Sequence, residues 1–326
     1  MLIGHQRIWD FLIKSAKQNK LAHAYLFAGP AQVGKLATAL EFTKWLFCEK
    51  KANQKESCGR CKSCLAIESG QNPDVLILAA KQITKNDVLK NAEIGIAQIR
   101  ELQHKLSLFP YGAPYKVAII EEVANLSDEA ASALLKTLEE PSSHSLIIMI
   151  SSSWQAVLPT IVSRCQMIKF LPVAEKEISL KLASLAKKEK DLKLAVKLAV
   201  GRPGRAIKFL REPELLLEQE KEIGVFEKLL KSPLVWRLEE ALKMSQNIVL
   251  AQETLNQWLL WSRDRVLEIS GQASLAIAPR ADSDLLNKYK ASDLLVFCRE
   301  IQKTQEILNN SSFNARLALE VLMIKL

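Results

Sequence analysis

At 326 residues, 48% hydrophobic and 25% charged, the chain can build two or three packed domains and is too apolar for wholesale disorder. No apolar run approaches the ~18 residues that cross a bilayer, and the charged N-terminus (Arg7, Asp10, Lys14, Lys17, Lys20) lacks a signal-peptide core, so secretion and membrane insertion are set aside and a cytoplasmic location is expected. The formal charge of +9 is concentrated early, with eleven basic and four acidic residues in 1–64, which suits contact with a polyanion and equally a solvated basic surface.

Ala24-Tyr25-Leu26-Phe27 predicts a short buried strand, Gly29 to Lys35 a loop, and Leu36 to Phe47 a helix with apolar residues three and four apart. Val75 to Leu78 predicts a second strand and Ile96 to Leu108 an amphipathic helix stopped by Pro110. Val117 to Ile120 predicts a third strand that runs into Glu121 and Glu122. Ser127 is placed to cap a helix with Asp128 and Glu129 in its first turn and Ala130, Leu134, Leu135 and Leu138 on one side, ending at Pro141. Leu146 to Ile150 and Met167 to Phe170 complete five strands. Continuous apolar strands alternating with helices predict a parallel sheet covered on both faces. After Pro172 strand signals vanish. Residues 175–210 read as short helices broken at Gly201-Arg202-Pro203-Gly204, and from about Pro213 to Leu326 the pattern is helical with leucine stripes. Trp258 and Trp261 share one helical face there, suited to a core or to a subunit interface.

Gly29-Pro30-Ala31-Gln32-Val33-Gly34-Lys35 has the spacing of a phosphate-binding loop, in which backbone N–H groups and a helix N-terminus hold an anion and lysine neutralises it. The next position should carry a hydroxyl for Mg²⁺ and is Leu36. The strand at 117–120 should end in an aspartate that holds the metal, followed by a glutamate that activates water. Here Glu122 fits the second role and Glu121 is one methylene too long for the first. Together these changes weigh against hydrolysis, while nucleotide binding at Gly29, Gly34 and Lys35 is left doubtful.

Cys48, Cys58, Cys61 and Cys64 lie within seventeen residues in a chain without a secretion signal, which favours a metal over disulfides. Four thiolates suit a closed tetrahedral zinc site, with Arg60 and Lys62 offsetting its charge; an iron–sulfur cluster or free thiols are the alternatives. Ser163-Arg164-Cys165 offers an arginine before the last strand, and Arg202 and Arg205 could bind phosphate or neutralise helix ends.

Ile3-Gly4-His5-Gln6, Leu21-Ala22-His23-Ala24-Tyr25-Leu26-Phe27, the cysteine insert, Ala133-Leu134-Leu135-Lys136-Thr137-Leu138-Glu139-Glu140-Pro141 and Ser163-Arg164-Cys165 occur in a specific order. In that order they resemble the delta-prime subunits of the bacterial DNA polymerase III clamp loader, within the AAA+ group. The resemblance covers the first two thirds of the chain and continues only as a helical pattern. It implies an AAA+ type α/β domain at 1–171 with a zinc insert at 48–64, a small helical lid domain at 172–212 and an all-α collar at 213–326 that joins other subunits. It implies gamma/tau and delta subunits as partners, with the sliding clamp and primed DNA reached through the complex. It implies no ATPase of its own within the DNA-directed DNA polymerase holoenzyme, and Arg164 as an arginine finger acting in trans on a neighbour. A gamma/tau-type motor subunit shares the cysteines and Ser-Arg-Cys and would turn over ATP; a stand-alone zinc-containing DNA-binding protein would work without partners.

Overall fold

All five apolar runs become strands of one sheet in the computed structural model, which describes residues 2–50, 56–80, 82–85, 88–91, 93–186, 188–276, 289–308 and 313–326. Residues 51–55 of the expected zinc insert, and 277–288 and 309–312 of the expected collar, lie outside the described residues. Two compact units result. One comprises Met1–Lys81 with Ala92–Ile207, the other Gln82–Asn91 with Lys208–Leu326.

In the first unit β1 (Ala24–Ala28), β2 (Val75–Leu78), β5 (Lys116–Ile120), β6 (Ser145–Ser151) and β7 (Gln166–Lys169) pair in the order β2-β5-β6-β1-β7, every pairing parallel. Strands β1, β5 and β6 are buried along their whole length, so both faces must be apolar, as the uninterrupted runs require. Alternate residues serve opposite faces. Tyr25, Phe27, Ile119 and Ile148 pack with Trp9 and Leu12 of α1 (Gln6–Lys17) and Phe42 of α2 (Lys35–Phe47). Leu26, Ile120, Ile147 and Met149 pack with Ile99 and Leu102 of α4 (Ile96–Ser107) and Leu134 and Leu138 of α5 (Asp128–Glu139). Ser127 caps α5 by accepting the Ala130 N–H at 3.2 Å, as its sequence position predicts. Between β7 and the unit's end lie α7 (Glu175–Leu182), α8 (Glu189–Ala199) and the first residues of α9 (Pro203–Arg211).

The sequence reading passes over α1, whose dense charges mask the Trp9, Leu12 and Ile13 stripe that it buries. It also misses α3 (Lys62–Glu68), which grows directly out of the cysteine cluster, and the hairpin of β3 (Gln82–Lys85) and β4 (Val88–Asn91). Four-residue strands without an apolar run leave little to read.

The second unit is otherwise helical among the described residues. Phe226 of α10 (Glu214–Lys231) stacks on Trp258 of α12 (Ile248–Ile269) at 4.6 Å and meets Trp261 edge-on at 5.3 Å. Both tryptophans are buried, so the shared face is core. No helix among the described residues is long and apolar enough to cross a membrane.

The start of β5 is fixed by a buried ion pair. Asp74 accepts the Tyr111 N–H at 2.9 Å, the Gly112 N–H at 3.1 Å and the Lys116 ammonium at 3.2 Å. Burial alone would raise the Asp74 pKa, but these donors hold it below the ordinary aspartate value. Asp74→Ala should cost about 3 kcal/mol in urea denaturation, because Lys116 is left buried and unpaired. The carboxyl titrates lower folded than unfolded. Its contribution is therefore complete above the ordinary aspartate range, is lost as pH falls through the folded value, and should be absent from the acid limb of Asp74→Asn.

Candidate functional site

The loop after β1 is shaped by its glycines. Gly29 has φ 153°, and a β-carbon there would come within 2.2 Å of the Phe170 carbonyl oxygen beyond β7. Gly34, at φ 114°, caps α2 in a conformation that side chains disfavour. The loop is also held from outside. His5 donates from Nε2 to the Val33 carbonyl at 3.0 Å, and burial lowers its pKa, keeping the ring neutral. The Gly204 N–H at the start of α9 donates to the Gln32 carbonyl at 2.9 Å.

Lys35 stands at the first position of α2, 4% exposed. Its ammonium donates to the Gly29 carbonyl and, at 2.8 Å, to the Pro30 carbonyl. Burial lowers its pKa, opposed by the nearby Glu122 carboxylate. Leu36, partly buried, packs against the apolar cluster that includes Trp9 and Phe42 and offers no hydroxyl. Glu121 is half-buried, and burial and then the Glu122 charge raise its pKa. Glu122, at φ 46°, accepts the backbone N–H of Ser152 at 3.0 Å and its hydroxyl at 2.9 Å. Gly29, Gly34, Lys35 and Glu122 thus converge at the carboxyl ends of β1, β5 and β6, the usual ligand crevice of a parallel sheet. Arg202, by contrast, donates from Nε to the Ala199 carbonyl at 3.1 Å, neutralising the end of α8.

Arg164 lies elsewhere. It precedes β7, which runs parallel to β1, so it stands at the amino end of the sheet while the loop stands at the carboxyl end. The four residues of β7 alone separate the two levels by about 13 Å. Its guanidinium is clamped by Glu139, the last residue of α5, with Nε at 2.9 Å and Nη2 at 2.6 Å from Oε1. Nη1 donates to the Thr160 carbonyl at 3.0 Å. Cys165 beside it is partly buried, and desolvation pushes its thiol up to about 12.

The four cysteines come together as a group. Their sulfurs all lie within 4.8 Å of one another, against the ~3.8 Å edges of a tetrahedron with bonds of about 2.3 Å. All are free thiols. The Cys58 N–H donates to Cys48 Sγ at 3.5 Å and the Cys61 N–H to Cys58 Sγ at 3.4 Å. Backbone donation from Arg60 heads the causes that draw Cys58 down to about 6, while burial pushes Cys64 up to about 12. Backbone donors aimed at sulfur suit thiolates gathered around a cation. This donor set could hold zinc.

Comparison with known proteins fits these features. Residues 4–174, just over half of the chain, match the family described as DNA polymerase III, delta subunit. The chain belongs to that family. It is 36% identical to DNA polymerase III subunit tau of Bacillus subtilis over 54% of this chain and 30% of that one. It is 35% identical to subunit delta' of the same organism over 53% of this chain and 49% of the relative. To subunit delta' of Pseudomonas aeruginosa it is 35% identical over 49% and 45%. The chain spans half the length or less of these relatives. The resemblance to delta-prime subunits read from the motifs is therefore shared with curated members of the clamp-loader group.

Residue type alone did not reveal Ser152, Gly204 or Glu139, nor the role of His5. Their signal is topological: each meets the site only when strand ends converge. Gly29→Ala should lower stability by about 1–3 kcal/mol in urea, since a backbone carbonyl cannot step aside. Gly70→Ala, also at positive φ but with nothing within 4 Å and outside the cysteine cluster, is the control for a positive φ without crowding.

Proposed function

We propose that this chain is a delta-prime-type subunit of a DNA polymerase III clamp loader, a stator that lends Arg164 to the ATP site of a neighbouring gamma/tau subunit. The observation that carries this reading is the separation of Arg164 from the chain's own loop. An exposed guanidinium at the amino end of β7 faces away from Lys35 and is available to another molecule's phosphates. A second support is the loop itself. Its lysine is bonded to its own carbonyls, Leu36 packs against the apolar cluster, and Glu122 accepts from Ser152. Neither Leu36 nor Glu121 suits Mg²⁺, so ATP hydrolysis at Gly29, Gly34, Lys35 and Glu122 is not expected.

The AAA+ type domain at 1–171, lid at 172–212 and collar at 213–326 remain the division we favour. On the last helix (Ala315–Lys325), Leu317, Val321 and Ile324 are 58%, 43% and 61% exposed and share one face. That apolar stripe supports assembly with gamma/tau and delta subunits rather than a stand-alone binding module. The sliding clamp and primed DNA would be reached through the complex. Identity to a tau subunit favours the motor reading as a second possibility, and ATP turnover separates the two.

The test is reconstitution with gamma/tau and delta. The chain alone should hydrolyse ATP at background, and the complex should load clamps with DNA-stimulated turnover. Arg164→Ala should lower that turnover while assembly persists; Arg164→Lys should recover little, since an ammonium lacks the planar fork that meets γ-phosphate oxygens. Robust ATPase by the chain alone, lost in Lys35→Ala, would reassign it as the motor.

Zinc held by Cys48, Cys58, Cys61 and Cys64 is the second expectation, as a structural ion with no open position. Metal analysis should give one zinc per chain, released as acid protonates the thiolates and lost in Cys61→Ser with the sheet still folded. Iron with visible absorbance, or no metal, would overturn it.

A further inference from the structure

Glu139 has no place in any role assigned so far, yet it is the main partner of Arg164. We infer that Glu139 is a positioning residue for the arginine finger, an inference that rests on the finger reading above. The stereochemistry of the guanidinium carries it. Arginine has five N–H donors in one plane: one on Nε and two on each Nη. Glu139 Oε1 takes the Nε–Nη2 edge at 2.9 and 2.6 Å. Thr160 takes one N–H of Nη1 at 3.0 Å, and the Ser163 hydroxyl takes a longer contact at 3.3 Å. The second N–H of Nη2 is left, beside that long Nη1 contact, on the outer edge of the plane. Glu139 therefore holds the inner edge of the fork and leaves the outer edge for an oxyanion.

The arrangement is anchored in rigid structure at every point. Glu139 ends α5, whose Leu134 and Leu138 are sealed in the core. Thr160 lies in α6 (Pro159–Val162), whose Ile161 is buried. Arg164 sits between α6 and β7. The cation also faces the carbonyl ends of both α5 and α6, where positive charge is favoured. An exposed ion pair contributes little to stability, and this one is 36% and 51% exposed, so its geometry is the part that matters. Orienting a flexible side chain of three methylenes before the γ-phosphate arrives lowers the ordering cost at the moment of transfer.

If the pair competed with the phosphate, removing Glu139 would speed turnover. Because Glu139 leaves the second Nη2 N–H unengaged, and the neighbouring Nη1 contact to Ser163 is long, removal should slow it. In the reconstituted complex, Glu139→Ala should lower the clamp- and DNA-stimulated kcat about tenfold, with KM for ATP unchanged because the nucleotide is held by the neighbour. Glu139→Gln should recover most of the rate, since an amide oxygen accepts from the same edge. The double variant Glu139→Ala with Arg164→Ala should turn over no more slowly than Arg164→Ala alone. In the full chain by itself, ¹⁵N relaxation of the Arg164 Nε–H should report a rigid group that Glu139→Ala frees and Glu139→Gln retains. An unchanged or raised kcat in Glu139→Ala, or additive losses in the double variant, overturns the positioning role. Unchanged turnover in Arg164→Ala instead removes the finger reading itself, and the relaxation result then shows only a surface clasp.

Discussion

Three strand ends meet at Gly29, and the rest of the first unit is arranged around that crowding. The Gly29 N–H donates to the Ser151 carbonyl at the end of β6, and the Phe170 N–H donates to Ala28 at the end of β1. The backbone after β7 thereby passes within van der Waals range of the loop, and no residue with a β-carbon fits between them. Because the crossing is backbone against backbone, it fixes the loop, Ser152 and the chain leaving β7 in one rigid frame. Glu122 joins through Ser152, and Gly204 through Gln32. Gly204 is itself constrained, as a β-carbon there would stand 2.9 Å from the Gln32 carbonyl oxygen.

Such a frame explains how a loop can hold its shape through contacts within its own chain. In a hydrolysing site the lysine needs an anion and the neighbouring hydroxyl needs a metal. Here the Lys35 charge is satisfied by loop carbonyls, and the Leu36 side chain adds to the apolar core. Both side chains thus make contacts within the chain. The loop is then an element of rigidity, with His5 closing it from the N-terminal side and Gly204 from the start of α9.

How much of this was legible in the sequence depends on the range of the interaction. The five strands and the helices α2, α4 and α5 could be read because burial on both faces, or on one helical stripe, imposes a local pattern. The cysteines could be read because a thiolate cluster needs four ligands at short spacing. What could not be read is pairing between distant elements. Glu139 and Arg164 are 25 residues apart, and Glu122 and Ser152 thirty apart. Nothing in either segment's periodicity announces the other. The α1 helix was a different kind of miss: its apolar stripe was present, but the charge between the stripe's members drew the reading toward a surface.

Parallel topology also settles which functions one chain can combine. A strand carries residues to two ends, and in β7 those ends are a loop-facing backbone at Phe170 and a guanidinium at Arg164. The strand is rigid, so a displacement at one end reaches the other undiminished. A subunit that kept both a working nucleotide site and an exposed arginine would have its own ligand cycle coupled to its neighbour's. On the reading proposed above, with Lys35 engaged by its own loop and Leu36 packed against the apolar cluster, the loop end of β7 would have no such cycle to transmit. The same reading makes Arg164 a fixed reference against which a neighbour's site opens and closes. The Glu139 clasp is the same idea at the scale of one side chain: a group meant to wait for a partner's charge gains from being held still by its own chain.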